Sequence, residues 1–178
     1  ILTNGTLITP EKALRLKTLR ENAGHPMQFR VSMEGCDESA NDKVRGAGSF
    51  RRAVEGLRNL GEAGFSPILT VTRTWDEEND AAMEVLFLKF LTENHVRQPR
   101  IKFLPAFLLG RQAETDRPYN PDERVSEKCF ENYPISNLQC ASSRLVAASG
   151  VYVCPILVDE SVGRMGDKIA YSLRPYPL

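Results

Sequence analysis

The chain has 178 residues, 42% of them hydrophobic and 26% charged, the make-up of a soluble globular protein able to bury one good-sized core. Its 23 basic and 23 acidic side chains cancel, so neither a nucleic-acid footprint nor an anionic-membrane surface is indicated. The apolar stretches Val85 to Leu88 and Phe103 to Leu109 fall far short of a bilayer span, and four scattered cysteines make no secreted disulfide framework, which points to a reducing cytoplasm.

Ile1 to Thr3 reads as a strand that ends in the Asn4-Gly5 turn signal. Thr9-Pro10-Glu11 opens a helix: the hydroxyl can cap, proline suits the first turn and the carboxylate complements the positive dipole end. Ala13, Leu16, Leu19 and Ala23 form its expected buried stripe, and Gly24 its stop. Phe29 to Met33 is the next strand. Val31 and Met33 alternate with Ser32 and Glu34, so two polar side chains leave one face just before Gly35 lets the backbone turn. Gly35 to Gly48 reads as a ligand-shaped loop.

Ser49 is the expected cap of a second helix, with Phe50, Val54, Leu57 and Leu60 at helical spacing and Gly61 to Gly64 loosening its end. Pro67 to Thr72 is a strand, β-branched at its centre. Asp76 opens a third helix whose face is Met83, Leu86, Phe87, Phe90 and Leu91. Arg100 to Phe107 is a fourth strand, interrupted by Pro105 near its end. This alternation predicts parallel strands joined by right-handed helical crossovers, with an apolar edge left bare at Ile1-Leu2.

Beyond Leu109 the texture changes, and Gly110 to Glu127 reads as a long surface connection rich in charge, proline and asparagine. Arg144 to Ala148 and Val151 to Cys154 flank Ser149-Gly150, which predicts a small antiparallel hairpin turning there, with Leu145 opposite Cys154. The boundary falls near residue 110, between a unit spanning 1–110 and a second spanning 111–178.

Several side chains suit ligand chemistry. The Ser32 hydroxyl and Glu34 carboxylate, on one strand face, can bond the adjacent hydroxyls of a ribose. Arg45, flanked by glycine, offers a guanidinium fork for a carboxylate. Asn4 is a further polar group at a strand's carboxyl end, where ligands sit in open sheets and βα barrels. Cys140 and Cys154 stand in the pattern C-x9-G-x3-C, Cys129 is a further thiol upstream of them, and Cys36 has no metal-ligand partner in sequence. His25 and His95 stand alone near helix ends as surface residues. No GxSxG, P-loop or GxGxxG occurs.

The run Val31-Ser32-Met33-Glu34-Gly35, preceded by Thr3-Asn4-Gly5 and followed by Asn41-Asp42-Lys43-Val44-Arg45-Gly46, resembles the radical S-adenosylmethionine enzymes. It is similar to that family's "VSLDG", "TNG" and "HDxxRG", departing at Glu34 and Asn41. Val151-Tyr152-Val153-Cys154-Pro155 resembles the "VYPCP" of the peptide-modifying branch, which carries a twitch or SPASM extension. The resemblance implies a partial (βα) barrel, strands three to six of a six-stranded barrel, followed by a small hairpin-bearing extension. It assigns Ser32 and Glu34 to the ribose of S-adenosylmethionine, Arg45 to its methionyl carboxylate, Asn4 to the same site, and Cys140 and Cys154 to an auxiliary iron-sulfur cluster.

The family's reactive 4Fe-4S cluster sits on CxxxCxxC, and no such run occurs in these 178 residues, so the chain reads as a piece of a longer enzyme and is expected to be inactive alone. In the whole enzyme, one electron from the cluster would cleave the cofactor to a 5'-deoxyadenosyl radical that abstracts a substrate hydrogen. A peptide or protein substrate and an electron donor are the implied partners. Two rivals stand beside this reading. One is a non-catalytic α/β nucleotide-binding module with a zinc or thiol site; the other is a metal-free βα-barrel aldolase or isomerase, for which Lys17, Lys89 and Lys102 show no Schiff-base motif.

Overall fold

The structure, a computed structural model, describes residues 1–107 and 117–174. The chain divides into two units, Ile1–Glu114 and Thr115–Leu178. In the first, β1 (Leu2–Thr3), β2 (Arg30–Met33), β3 (Ile68–Thr72) and β4 (Arg100–Leu104) alternate with α1 (Pro10–Ala23), α2 (Glu38–Arg45), α3 (Ser49–Glu62) and α4 (Asp80–Glu93). The strands stand side by side in chain order, and every neighbouring pair is parallel. The expected parallel α/β arrangement is present. Because the order never reverses, right-handed crossovers bring the connecting helices to one face of the sheet. There Val31, Met33, Leu69 and Val71 pack with Ala13 of α1, Leu57 and Leu60 of α3 and Phe87 and Leu91 of α4 in a single core. Each of these side chains larger than alanine contributes about 2 kcal/mol on leaving water.

Strand alternation turns Ser32, Thr70 and Lys102 to the opposite face, where they lie in one register across β2, β3 and β4. The expected bare edge is also present, with Ile1 and Leu2 more than half exposed beside β1.

The start of α1 follows the sequence: Thr9 accepts from the Lys12 amide at its N-cap, Pro10 is the first residue, and Gly24 ends the helix in the left-handed conformation. Its buried stripe is narrower than predicted. Ala13 is buried and Leu16 packs on the core, while Leu19 and Ala23 face solvent. In α4 the predicted face holds at Met83, Phe87, Phe90 and Leu91, whereas Leu86 is exposed; a 3-10 turn, Glu77–Asn79, precedes the helix. The last strand is shorter than expected, ending at Leu104, just before Pro105, which has no amide proton for the ladder.

The largest correction lies between Gly35 and Ser49, where the expected loop contains α2. Asp37 caps it by accepting from the Ala40 amide at 2.8 Å, Glu38 stands in its first turn and Lys43 and Arg45 in its last. Its fully buried residue is Asn41, while Val44 is exposed. A helix anchored by an amide shows no apolar period.

Ser49 does not cap α3. It is the first helical residue, and the cap is Gly48. Deeper in α3, a Cβ on Gly56 would stand 2.2 Å from the Gly5 carbonyl oxygen, and Gly5 itself has φ +74°. The two glycines therefore let α3 lie directly on the turn after β1.

The second unit is built on a three-stranded antiparallel sheet of β5 (Leu145–Ala147), β6 (Gly150–Tyr152) and β7 (Arg164–Gly166). The hairpin is present, but it turns at Ala148-Ser149, so Leu145 faces Tyr152 rather than Cys154. Gly150 belongs to the strand because a Cβ there would meet the Gly166 carbonyl oxygen at 3.0 Å, and its φ is +140°. β7 had no sequence signal of its own. Of the predicted surface connection, residues 117–127 carry the 3-10 turn Pro121–Glu123, tied by Arg117 donating to the Glu123 carboxylate at 2.6 Å. The predicted boundary near residue 110 lies outside the described residues.

Candidate functional site

At the carboxyl ends of β1 and β2 the chain encloses an open cavity of about 380 Å³, lined by Asn4, Thr6, Asn41, Arg45, Ser49 and Arg52 among others. Its walls come from three places in the sequence. The Asn4 carbonyl oxygen of the side chain accepts from the Thr6 amide at 3.1 Å and from the Thr6 hydroxyl at 2.9 Å, which folds the turn after β1. α2 supplies Asn41 and Arg45, and the first turn of α3 supplies Ser49 and Arg52.

One buried network holds these walls. Asn41 accepts from the Glu34 amide at 3.1 Å and donates to the Ser49 hydroxyl at 2.8 Å, joining the end of β2 to the start of α3. Ser49 in turn donates to the Asp42 carboxylate at 2.8 Å, which also accepts from the Phe50 amide at 2.8 Å and from the Gly48 amide. Burial pushes the Asp42 carboxyl up, but hydrogen bonds from Phe50, Ser49, Gly48 and Asn41 outweigh it and hold the group down at about 2. Asp42 is thus the capping carboxylate of α3, reached from the neighbouring helix. That helix N-terminus is already filled by an anion of the chain.

The structure brings three of the four predicted cofactor residues together. Asn4 and Arg45 line the cavity, and Glu34 joins through an ion pair with Arg45, in which the Glu34 side chain is 12% and the Arg45 side chain 28% exposed. Arg45 is the last residue of α2 rather than part of a loop, and this helix end aims it back at β2. One of its five N–H donors is engaged by Glu34; the others remain for a ligand. Ser32 does not line the cavity; it lies two residues before Glu34 on the same strand face. Arg52, donating to the Gly48 carbonyl at 3.1 Å, is a second guanidinium at the cavity that the sequence reading missed. Its only advance signal was its place in the first turn of a helix beside the loop-facing glycines.

Two guanidinium groups, those of Arg45 and Arg52, and the Asn4 amide are donors that suit a carboxylate, while the Thr6 and Ser49 hydroxyls already donate within the chain. Of S-adenosylmethionine, these groups suit the carboxylate end. The thiols do not complete an iron-sulfur site. Cys140, in the one-turn helix Gln139–Ser142, and Cys154, after β6, both pack half-buried against Val151, Val153 and Met165. Two thiols fall short of four ligands, and among the described residues no group of three or more His, Cys, Asp or Glu is placed to hold a metal. Cys129 is exposed, and its thiol is lowered by hydrogen bonding from Ser126. Cys36 packs against the core, where burial and then the Asp37 charge raise its thiol to about 12. His25 and His95 are exposed, as expected. No described helix is long and apolar enough to cross a membrane.

The chain is related over about a third of its length to radical S-adenosylmethionine proteins, which bears out the resemblance seen in its motifs. It is 45% identical over 64 residues to mycofactocin maturase MftC of Mycobacterium ulcerans, a match covering 36% of this chain and 16% of that protein. With MftC of Mycobacterium tuberculosis H37Rv the identity is 42% over 66 residues, 37% of this chain and 16% of the relative. An AdoMet-dependent heme synthase of Nitratidesulfovibrio vulgaris is 40% identical over 73 residues, 39% of this chain and 18% of the relative. The chain thus spans about a sixth of the length of the curated relatives it matches. No family model and no solved structure matches it.

Proposed function

We propose that this chain forms the cofactor-holding wall of a radical S-adenosylmethionine enzyme that modifies a peptide or protein. The observation that carries the proposal is the Glu34–Arg45 pair at the cavity beside Asn4, in a chain whose relatives include a maturase and an AdoMet-dependent synthase. Bound with its carboxylate at Arg45 and its ribose toward Glu34 and Ser32, S-adenosylmethionine would supply, once reduced by a 4Fe-4S cluster, the hydrogen-abstracting power for which the family is known.

The chain's own residues bind and orient. Arg45 holds the carboxylate with the N–H groups that Glu34 leaves free, and Arg52 adds positive potential at the same end. Glu34 keeps a carboxylate oxygen for a hydroxyl, while Asn41 fixes the distance between β2 and α3 on which both depend. Four parallel strands in unreversed order, with their helices on one face, support the reading as part of a (βα) barrel whose inner face is the one bearing Ser32. In this reading residues 1–110 belong to the barrel, and 111–178 form the start of a twitch-like extension in which Cys140 and Cys154 are two ligands of an auxiliary cluster. The enzyme works in the cytoplasm with an external electron donor.

Calorimetric titration of the chain with S-adenosylmethionine tests this. Arg45→Ala should weaken binding roughly tenfold or more, the usual worth of a charge-assisted hydrogen bond. Decarboxylated S-adenosylmethionine should bind the unaltered chain more weakly and be insensitive to Arg45→Ala. Equal affinity of both compounds for both proteins would remove Arg45 from the site and the proposal with it.

A further inference from the structure

The helix-free face of the four-stranded sheet carries a feature that the cavity does not use. Thr70, at the centre of β3, is 8% exposed, and its Oγ1 is buried without a hydrogen-bond partner. It is the one such side-chain atom among the described residues. A buried hydroxyl left without a partner is costly, and natural structures rarely keep one without a reason. Its neighbours in register are Ser32 on β2 and Lys102 on β4.

Lys102 is exposed and forms no ion pair among the described residues. One pair of residues toward the amino ends, the same face carries Arg30 and Arg100, in register on either side of Ile68. Against these three cations stands the Glu34 carboxylate at the end of β2, already engaged by Arg45. In a chain of zero formal charge this face is therefore locally positive. Two strand spacings put Lys102 roughly 10 Å from Ser32, so a second ligand can lie at Lys102 beside one at Ser32.

We propose that Thr70 and Lys102 bind a carboxylate of the peptide substrate on this face, next to the cofactor. The ammonium of Lys102 neutralises the charge, and the Thr70 hydroxyl donates to a carboxylate oxygen, gaining the partner it lacks. The assignment rests on reading the chain as part of a peptide-modifying enzyme, and it narrows the substrate to one presenting an acidic side chain near the reacting position.

The test titrates the full chain, followed by amide chemical shifts, with acetyl-Gly-Glu-Gly-amide and with its Gln counterpart. The Glu peptide should bind at least tenfold tighter and move the Thr70 and Lys102 amides. Lys102→Gln should abolish the preference, and Thr70→Val should weaken Glu-peptide binding about tenfold while leaving the melting temperature equal or higher, since the orphaned hydroxyl is gone. Affinity for S-adenosylmethionine, measured alongside, should not respond to either substitution. Equal binding of the two peptides, or a Thr70→Val chain that is merely more stable, overturns the proposal while leaving the cofactor reading intact. Loss of S-adenosylmethionine affinity in Lys102→Gln also overturns it, because the carboxylate held would then be the cofactor's. If S-adenosylmethionine fails to bind the unaltered chain while the Glu preference persists, the cofactor reading falls and the acidic-ligand site stands alone.

Discussion

Asn41 and Asp42 sit side by side in the sequence and do different work. Asn41 is fully buried, and its amide spans from the Glu34 backbone to the Ser49 hydroxyl, so Asn41→Ala leaves a buried N–H without its acceptor. We expect a loss of about 1–3 kcal/mol, read from urea denaturation, with Arg45 displaced from the cavity as a second consequence. Asp42 acts through charge. Its folded carboxyl lies at about 2, below its ordinary value, so the stability it contributes is complete above about pH 4 and disappears as pH falls through 2. Asp42→Asn should therefore melt lower than the unaltered chain at pH 7, and the gap should close as the solution is acidified. A gap that stays constant down to pH 2 would show that Asp42 is not the titrating cap.

At the scale of elements, the contact between α3 and the turn after β1 has no slack. Helix propensity alone favours alanine over glycine at Gly56 by about 1 kcal/mol, yet a Cβ there would collide with the Gly5 carbonyl. Gly56→Ala should consequently destabilise, by about 1–3 kcal/mol as overpacking usually does, and should widen the cavity that Asn4 and Arg52 share. Thermal denaturation and S-adenosylmethionine affinity would both register the shift. In α4, Phe87 is fully buried against Trp75 and Phe103, with ring centroids 6.2 and 6.0 Å away, and Phe87→Ala should cost about 3–5 kcal/mol by circular dichroism. Exposed Leu86, one residue earlier, should tolerate the same change within about 0.5 kcal/mol.

For the molecule as a whole, charge balance and sheet topology carry the consequences. With formal charge zero and an isoelectric point near 6.9, the chain should be least soluble near neutral pH and gain solubility on either side, which a precipitation series against pH would show. The unreversed parallel order leaves one face with helices and one with Ser32, Thr70 and Lys102. This separates the molecule from a doubly wound sheet, in which helices cover both faces.

Strands, helices and their parallel connection were readable in the linear chain, because alternation in β2 and β3 and the caps at Thr9 and Gly24 are local signals. The Asn4, Glu34 and Arg45 positions were picked out by the resemblance of their motifs to those of a known family. α2 was not readable, since its inward residue is an asparagine and its partners are seven and eight residues away, outside any helical period. Nor was the pairing of Glu34 with Arg45, the capping of α3 by Asp42, or the strand β7, whose neighbours are chosen by packing around Gly150. Periodicity reports which side of an element is buried; only the folded chain brings distant polar groups within hydrogen-bonding distance, and those contacts shape the site.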